Sequence, residues 1–520
     1  MSYCLQGGKK LKKIFNLLSS RVFVLAAAIL LQVLLLVIVI WNFSNYFIYF
    51  YTFCACLSLL AVLIILNNNS NPAYKLAWII PILVFPIFGG LFFLIFSKKK
   101  VHRQRRYKFN LAYSKLISFF DSSIDLLEKL ESVDLTAARQ VRYLWDNSVF
   151  PLCQNCSAQY YSLGDHLFPA LLADLKKARN YIFLEFFIVE EGLFWDSILE
   201  VLVQKVKEGV KVRVIYDDLG SVLTLPFRYE RKLRSLGIEC QVFNPLLPFV
   251  SLKMNYRDHR KIAVIDGHTA YTGGINLADE YINAYVKYGH WKDSGIRVQG
   301  SAAWSFTLMF LSTWEDLSKI PEDYKLFYPQ AWPEIEPDSG YLLPYADTPV
   351  DEELVSETVY LNAINRADNF VWITTPYLIL DNEMLTALGN AAKSGVDVRI
   401  ITPYVADKSY VHALTRSNYS RLIQSGVKIY EYTPGFIHSK VFLVDDKIGI
   451  VGSINLDYRS LYLHFECAVW IYRMTCLQAI RQDFEQTFAV CQSISLQSCL
   501  EISLGRRVYY SLLRIFAPLM

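Results

Sequence analysis

The sequence predicts an α/β protein in which one domain occurs twice, preceded by hydrophobic segments long enough to span a membrane. Three observations lead to this prediction. A motif of the form H-x-K-x4-D begins at His259 and again at His438, at an offset of 179 residues. Around each copy, segments of strand character alternate with segments of helical periodicity. Before both copies lie three runs of about twenty residues with almost no charge.

The alternation of strands and helices is similar in the two halves of the chain. In each half a strand is followed by an amphipathic helix and then by an apolar, β-branched strand. These segments are residues 178–185, 199–206 and 209–215 in the first half, and residues 367–373, 385–392 and 395–401 in the second. Such alternation predicts an α/β sandwich with a parallel or mixed sheet. Repeats this long indicate two fused domains, with a boundary in the Pro- and Gly-containing stretch 333–345.

The hydrophobic runs lie at residues 22–41, 46–66 and 76–96, and each is long enough to cross a bilayer. The first run follows a basic segment and lacks an obvious small-residue cleavage site, so we predict a retained anchor and not a signal peptide. The third run contains Pro81 and Pro86, which would kink a helix or permit a re-entrant hairpin.

The basic flanks of these runs constrain the topology. Basic residues before the first run and after the third both favour the cytoplasm, which requires an even number of crossings. Either one of the three runs does not cross, with the third as the first candidate, or one basic flank lies outside. We predict a multi-pass protein of the cell membrane whose catalytic domains lie on the cytoplasmic face. The basic cluster at residues 98–108 fits a stop-transfer flank and would also attract anionic lipid.

The distribution of charge argues against a nucleic-acid partner. The chain carries 52 Lys and Arg against 48 Asp and Glu, a net charge of +4. The basic excess lies in residues 1–108, and the remainder of the chain is mildly acidic. A nucleic-acid-binding protein would carry its positive charge on the face that holds the site.

The cysteines give no indication of a metal centre. Cys153 and Cys156 have the C-x-x-C spacing of some zinc sites, but no second pair and no suitably spaced histidine follow them. We therefore expect free thiols in a reducing compartment, and neither a metal nor a cofactor.

Each motif carries side chains that suit phosphate chemistry. Alternate residues of a strand share a face, so His259 and Lys261 would project together. The glycines that follow allow a tight turn, which would return Asn276 to their side. An imidazole, an ammonium group and a carboxamide match a phosphate oxyanion. Two such sets supply two histidines, as a two-step phosphoryl exchange requires: one nucleophile and one proton donor.

The candidate site residues follow from the two motifs. Asp266 and Asp445 complete the catalytic motifs, although their place at the strand ends favours a structural role over direct chemistry. Asn276 and Asn455 are candidate ligands of the substrate phosphate. The candidate catalytic residues are His259, Lys261, Asp266, His438, Lys440 and Asp445.

This doubled pattern resembles the phospholipase D superfamily, and from about residue 76 onward the chain is similar to the bacterial cardiolipin synthases. The resemblance implies two phospholipase D-like α/β sandwich domains that form one pseudo-twofold unit, so that both motifs line one cleft. The corresponding divisions are a membrane anchor of two to three hydrophobic segments at 1–108, a helical connector at 109–155, a first domain at 156–335 and a second at 336–520.

The resemblance also implies roles for particular residues. In the family the histidine of the first motif is commonly the nucleophile, which assigns attack to His259 and proton donation to His438, although either assignment fits the sequence. Asp293 and Glu466 match the family's histidine-orienting carboxylates, each serving the histidine of the opposite half. The family usually has Asn two residues before the second of these carboxylates, and this chain has His464 there.

The membrane segments, the basic cluster and the resemblance favour one reaction over others. We predict a phosphatidyltransferase that condenses two molecules of phosphatidylglycerol, an anionic phospholipid, into cardiolipin and glycerol through a phosphohistidine. The alternatives are a hydrolytic phospholipase D, a phosphatidyltransferase that uses another alcohol, and, from a different class, a catalytically inactive membrane scaffold. The C-terminal stretch 506–516 is either an amphipathic interfacial helix or a helix packed on the second domain.

Overall fold

The computed structural model of this 520-residue chain describes residues 47–68, 71–86, 123–246, 255–330, 332–351 and 353–519, together with scattered positions between 30 and 41 and single positions at 89 and 93. Most of the first predicted hydrophobic run, the end of the third, the basic cluster at 98–108 and the start of the predicted connector lie outside the described residues. Helices and strands are numbered below within the described residues.

An apolar helical hairpin begins the described structure. Helix α1 (Phe47–Leu66) and helix α2 (Pro72–Val84) pack together through a small apolar cluster, to which Ile65 and Trp78 belong. Asn71 caps α2 by accepting a hydrogen bond from the backbone N–H of Ala73. In the described part of the chain, one helix, Ile48–Leu66, is long and apolar enough to cross a membrane.

The described part of the third hydrophobic run is a helix that begins four residues before the predicted run, at Pro72, and ends at Val84. Of residues 87–96, which complete the predicted run, the structure describes positions 89 and 93. Pro72 occupies the first turn, where its missing N–H costs nothing, and Pro86 follows the end of the helix.

The helical connector is packed on the second half of the molecule. It consists of α3 (Ser123–Val133) and α4 (Leu135–Ser148), and Asp134 caps α4. Val141 and Leu144 are buried in one apolar cluster with Tyr360, and the indole N–H of Trp470 donates to Gln140 at 3.2 Å. The sequence predicted helices here, but it did not predict where they pack.

The first half contains one large mixed sheet with strand order β1-β9-β7-β6-β2-β3-β4. The strands of the first half are β1 (Ser157–Tyr161), β2 (Tyr181–Phe186), β3 (Lys211–Asp217), β4 (Glu239–Phe243), β5 (Arg257–Asp258), β6 (Lys261–Ile265), β7 (Thr269–Gly273), β8 (His290–Lys292) and β9 (Gly295–Gln299). Of these, β5 and β8 lie outside the large sheet. The helices of this half are α5 (Gly164–Lys177), α6 (Leu193–Lys207), α7 (Tyr229–Ser235) and α8 (Ser301–Ser318). Strands β2, β3 and β4 are parallel, and their neighbours are antiparallel.

The second half repeats this sheet with the order β10-β17-β16-β15-β11-β12-β13, and β18 adds one strand at the edge. The strands of the second half are β10 (Tyr341–Asp347), β11 (Phe370–Thr374), β12 (Asp397–Pro403), β13 (Lys428–Tyr432), β14 (Gly435–Ile437), β15 (Val441–Val444), β16 (Ile448–Gly452), β17 (His464–Tyr472) and β18 (Cys491–Ser493). Of these, β14 lies outside the large sheet. The helices of this half are α9 (Val355–Asn365), α10 (Asn382–Lys393), α11 (Ser409–Gln424), α12 (Tyr458–Tyr462), α13 (Cys476–Ala489), α14 (Leu496–Leu500) and α15 (Leu504–Phe516). The predicted duplicated α/β fold is confirmed.

The two sheets share one hydrophobic core. A single apolar cluster joins Ile262 on β6 and Phe310 on α8 to Leu443 on β15 and Val469 on β17. All four side chains are completely buried. Burial of apolar surface is the main favourable contribution to folding, so this shared core holds the two halves together as one unit.

Two short strands cross from one half to the other. Strand β5 pairs in parallel with β17 of the second half, and β14 pairs in parallel with β8 of the first half. Each of these strands directly precedes a motif histidine. The exchange therefore places each histidine against the opposite half.

Candidate active site

Backbone hydrogen bonds fix the position of both motif histidines. The backbone N–H of His259 donates to the carbonyl of Phe465 at 2.9 Å, and that of His438 donates to the carbonyl of Lys292 at 2.7 Å. Both bonds extend the exchanged strand pairs by one residue. The imidazoles are almost fully buried, at 6% exposure each.

Each imidazole is bonded to a carboxylate of the opposite half. Nδ1 of His259 lies 2.8 Å from Oε1 of Glu466, and Nδ1 of His438 lies 2.6 Å from Oδ2 of Asp293. Both carboxylates are completely buried. When Nδ1 donates to such an acceptor, Nε2 carries the lone pair and the orientation of the ring is fixed.

The two motif lysines lie beside their histidines, as the alternation of a strand requires. The Nζ of Lys261 donates to the carbonyl of His259, and the Nζ of Lys440 donates to the carbonyl of His438. Lys440 also lies 4.0 Å from Oδ2 of Asp293. The ammonium groups thus belong to the same buried cluster as the imidazoles.

The two motif asparagines differ in the hydrogen bonds that their side chains make. The Oδ1 of Asn276 accepts from the backbone N–H of Ile188 at 3.0 Å, and its Nδ2 donates to the hydroxyl of Tyr281 at 2.8 Å. One N–H of Asn276 therefore remains for another acceptor. The Oδ1 of Asn455 is buried and accepts no hydrogen bond within the described part of the chain.

The motif aspartates are placed away from the imidazoles. Asp266 accepts three backbone N–H bonds, from Arg179, Asn180 and Tyr181, at 2.7–2.8 Å. A five-residue strand separates it from His259, which is roughly 16 Å at the usual rise. Its carboxylate holds the start of β2, so we propose a structural role for Asp266.

Asp445 has the same role in the second half. It accepts from the backbone N–H groups of Asp368, Asn369 and Phe370 at 2.7–2.8 Å, at the start of β11. These contacts match those of Asp266, so we propose a structural role for Asp445 as well.

Burial, and to a lesser extent the neighbouring charges, shifts the pKa values of the site residues. Burial, followed by the charges of Lys261 and Lys440, holds the pKa of the His259 imidazole well below its ordinary value. Burial and the same lysines also hold the pKa of His438 well below its ordinary value. Burial lowers the pKa of Lys261 to about 8 and that of Lys440 to about 7. Burial raises the pKa of Asp293 to about 7.

Ser453 is a residue of the candidate site that the sequence did not indicate. Its hydroxyl donates to Oε2 of Glu466, the carboxylate that holds His259. The equivalent position in the first half is Gly274, where an added Cβ would lie 2.1 Å from Oδ1 of Asp293. The difference between G-G-x-N and G-S-x-N was visible in the sequence, but without the fold it signalled only a turn.

Aromatic rings that the motifs do not contain surround the imidazoles. Phe187 contacts His259 with ring centroids 5.0 Å apart, and Tyr281 and Trp291 contact His438 at 5.5 and 5.6 Å. Phe187 directly follows β2 and Trp291 lies on β8, so the sheet and the exchanged strand pair carry them to the site. Their apolar surface contributes to the burial that lowers both histidine pKa values.

His464 lies next to the first imidazole. Its ring centroid is 5.4 Å from that of His259, its Nε2 lies 3.4 Å from Nε of Arg459, and its Nδ1 lies 3.8 Å from Oε1 of Glu466. Burial lowers the pKa of His464 to about 3, so this third imidazole is neutral.

The ring nitrogens of His259 and His464 and a carboxylate oxygen of Glu466 lie within 4.8 Å of one another, close enough to share a metal ion. The positive charge of Lys261, however, lowers the pKa of the His259 imidazole by electrostatic repulsion of its protonated form. A divalent cation at this position would face the same repulsion, so the electrostatics of the site suit an anion better than a metal.

The described fold and site are those of the phospholipase D superfamily: a duplicated mixed sheet that brings two H-x-K motifs together. Family models agree with this class. The model described as "Cardiolipin synthase, PLD-like domain" matches residues 171–286 and 360–488, and the model described as "Phospholipase_D-nuclease N-terminal" matches residues 56–98.

Curated relatives narrow the class. A cardiolipin synthase of Geobacillus kaustophilus is 33% identical over 90% of this chain and 93% of its own. The major cardiolipin synthase of Bacillus subtilis is 31% identical over 89% of this chain and 97% of its own. The chain belongs to the cardiolipin synthase family, which confirms the predicted enzyme class, a phosphatidyltransferase.

Solved structures support the fold independently. A phosphatidylserine synthase of Haemophilus influenzae superposes with a TM-score of 0.55 at 12% identity, over 73% of this chain and 98% of its own.

Association with the membrane follows from the apolar helix Ile48–Leu66 and from membership of the family.

Proposed function

We propose that the chain transfers a phosphatidyl group from one phosphatidylglycerol molecule to another, which gives cardiolipin and releases glycerol. The observation that carries the proposal is the pair of imidazoles, each bonded to a carboxylate of the opposite half. The cardiolipin synthases among its relatives support the choice of substrate.

The first chemical step in this proposal is attack by Nε2 of His259 on the phosphorus of the donor lipid. The bond between phosphorus and the glycerol oxygen breaks, and His438 gives that oxygen a proton, so that glycerol leaves. A phosphatidyl group is then bonded to His259 through a P–N bond.

The second step reverses these roles. A hydroxyl group of the second phosphatidylglycerol loses its proton to His438 and attacks the phosphorus. The P–N bond breaks, the electron pair returns to His259, and cardiolipin is released. One phosphodiester replaces another, so the exchange needs no nucleotide.

The electrostatics of the site support this assignment. The lowered pKa of His259 keeps the attacking imidazole neutral at physiological pH. A bound phosphodiester brings one negative charge, which would raise the pKa of His438 and let it carry the proton it must donate. Lys261, Lys440, Asn276 and Asn455 are proposed to hold the non-bridging oxygens.

The proposal includes a topology. The predicted first run and α1 would each cross the membrane once, whereas α2, with 13 residues and a length of about 20 Å, is too short to cross. Both basic flanks would then lie on the same side. The protein would then be multi-pass, with its catalytic domains on the cytoplasmic face. Protease accessibility of the catalytic domains in sealed inside-out and right-side-out vesicles tests this orientation.

Expression in a host that lacks cardiolipin tests the reaction. Lipid extracts should contain new cardiolipin, with one glycerol released for each cardiolipin formed. The His259→Ala variant, expressed to the same level in the membrane, should produce none. Accumulation of phosphatidic acid without cardiolipin would show a hydrolase instead, and the absence of both products would contradict any catalytic assignment.

A further inference from the structure

The C-terminal helix α15 packs on the second half and beside the anchor hairpin. Leu513 on α15 and Ala517 just after it belong to one apolar cluster with Leu414 on α11 and Ala73 on α2. Ser503 caps the helix by accepting from the backbone N–H of Arg506. Helix α15 therefore has a fixed position next to a segment that is associated with the membrane.

The opposite face of α15 is apolar and exposed. Leu504, Val508, Leu512 and Phe516 recur every four residues and so share one face of the helix. Their side chains are 77%, 52%, 53% and 39% exposed. At 100° per residue, the centre of this row lies about 120° around the helix from the packed residue Leu513. A soluble protein rarely leaves such a row uncovered.

The charge of α15 complements an anionic surface. The helix contains Arg506, Arg507 and Arg514 and no acidic residue. The apolar row with arginines on the remaining face is the pattern of helices that lie in the interface of a membrane. The stretch just before the helix, residues 494–503, contains a single acidic residue, Glu501.

We propose that α15 is a second membrane contact, which lies in the headgroup region beside the hairpin with its apolar row inserted and its arginines against anionic phospholipid. Helix α15 is in contact with α2, which belongs to the membrane-associated hairpin. The exposed apolar face of α15 therefore lies at the membrane, and the bilayer is the partner that covers it. The contact depends on membrane association and not on the proposed reaction.

This contact would orient the catalytic half toward its lipid. The hydroxyl of Tyr462 on α12 accepts from Asn71 at the start of α2 and donates to Asp381. Helix α12 begins three residues after Asn455 of the second motif. The surface held by the hairpin and by α15 is therefore one short helix away from the site.

Photocross-linking in the full-length protein tests the proposal. A diazirine-bearing amino acid is placed at Leu512, or at Val508, and the protein is reconstituted in vesicles of phosphatidylglycerol and phosphatidylcholine. Mass spectrometry should find lipid adducts at both positions. The matched controls are Tyr510, on the opposite side of the same helix, and Leu326, which is 77% exposed on the first half. Both controls should give at most a small fraction of this yield.

The contribution of the arginines is tested separately. Adduct yield at Leu512 should be higher with phosphatidylglycerol than with phosphatidylcholine alone, and this difference should disappear when Arg506, Arg507 and Arg514 are replaced by Gln. Adducts to another segment of the chain or to a second copy, or equal yields at Leu512 and Tyr510, would overturn the proposal. Cardiolipin formation is read separately, so loss of one result does not imply loss of the other.

Discussion

At the scale of single residues, the site depends on two imidazole–carboxylate pairs in which each partner comes from a different half. The carboxylate of Glu466 accepts from His259, and it in turn accepts from the hydroxyl of Ser453. A charge on Glu466 stabilises the positive charge that develops on the imidazole during transfer. The pair therefore matters most in the transition state.

Replacing Glu466 by Gln should lower kcat by about 100-fold and change KM little, because the carboxamide keeps the shape of the acceptor but not its charge. Steady-state kinetics on phosphatidylglycerol in mixed micelles measures both constants. The control is Glu431→Gln, which changes another fully buried carboxylate of the second half, bonded to Arg416 outside the site. An equal loss in both variants would indicate a general effect on folding.

The pKa values of the site predict a bell-shaped dependence of kcat/KM on pH. The pKa of Asp293 is about 7, so below that pH its carboxylate gains a proton and no longer holds His438 as an acceptor. The pKa values of Lys440 and Lys261 are about 7 and about 8, so above that range the charges that attract phosphate are lost. The maximum should therefore lie close to neutral pH.

The same pKa values predict that kcat and kcat/KM decrease at different alkaline pH. Bound phosphodiester stabilises the protonated lysines, so the alkaline decrease in kcat should lie at higher pH than the decrease in kcat/KM. Measuring both profiles over pH 5–10 checks this. A flat kcat/KM over that range would contradict the proposed roles of the lysines.

At this scale the motifs allowed the histidines, lysines and asparagines to be named from the sequence, and the resemblance added Asp293 and Glu466. Ser453 and the aromatic contacts of the imidazoles could not be named. A serine in a glycine-rich turn has no distinguishing pattern, and its bond to Glu466 depends on a strand eleven residues later.

At the scale of elements, the exchanged strands β5 and β14 decide where the histidines lie. These strands have two and three residues, too few for a periodic pattern, and for this reason the sequence did not predict them. The longer strands and helices of both halves were predicted, because their apolar and β-branched segments are long enough to show a period.

We propose that the motif aspartates stabilise the starts of strands β2 and β11 and take no part in the chemistry. Asp266→Ala would leave three backbone N–H groups at the start of β2 without their acceptor, and one of these, that of Tyr181, is buried. We expect the free energy of unfolding to fall by about 3 kcal/mol. Thermal unfolding of the detergent-solubilised protein measures the change.

Asp445→Ala is the matched variant. Two of the three N–H groups that Asp445 accepts are exposed, so water can replace the carboxylate there. The loss of stability should be clearly smaller than for Asp266→Ala. If instead both variants kept full stability and lost activity, the aspartates would belong to the chemistry after all.

At the scale of the whole molecule, the shared core and the exchanged strands make the two halves one catalytic unit within a single chain. The duplication could be predicted from the constant offset of the motifs. The packing of the connector on the second half could not, because the periodicity of α4 shows that one face is buried but not what covers it.

Because each chain contains both histidines of its own site, inactive variants should not complement each other. A mixture of His259→Ala and His438→Ala, co-reconstituted in the same vesicles, should form no cardiolipin, since neither chain holds both imidazoles. Unsubstituted protein diluted with either variant should keep activity in proportion to its amount. Restored activity in the mixture would show that the site forms between two chains.

The most direct test of the central claim is to trap the covalent intermediate. The protein is mixed with phosphatidylglycerol, quenched rapidly in denaturant at mildly alkaline pH, which preserves both the P–N bond and the acyl esters, and digested for mass spectrometry. We predict a phosphatidyl adduct on His259 in the unsubstituted protein, and none in the His259→Ala variant. An adduct on His438 alone, or continued cardiolipin formation with no adduct on either histidine, would contradict the account.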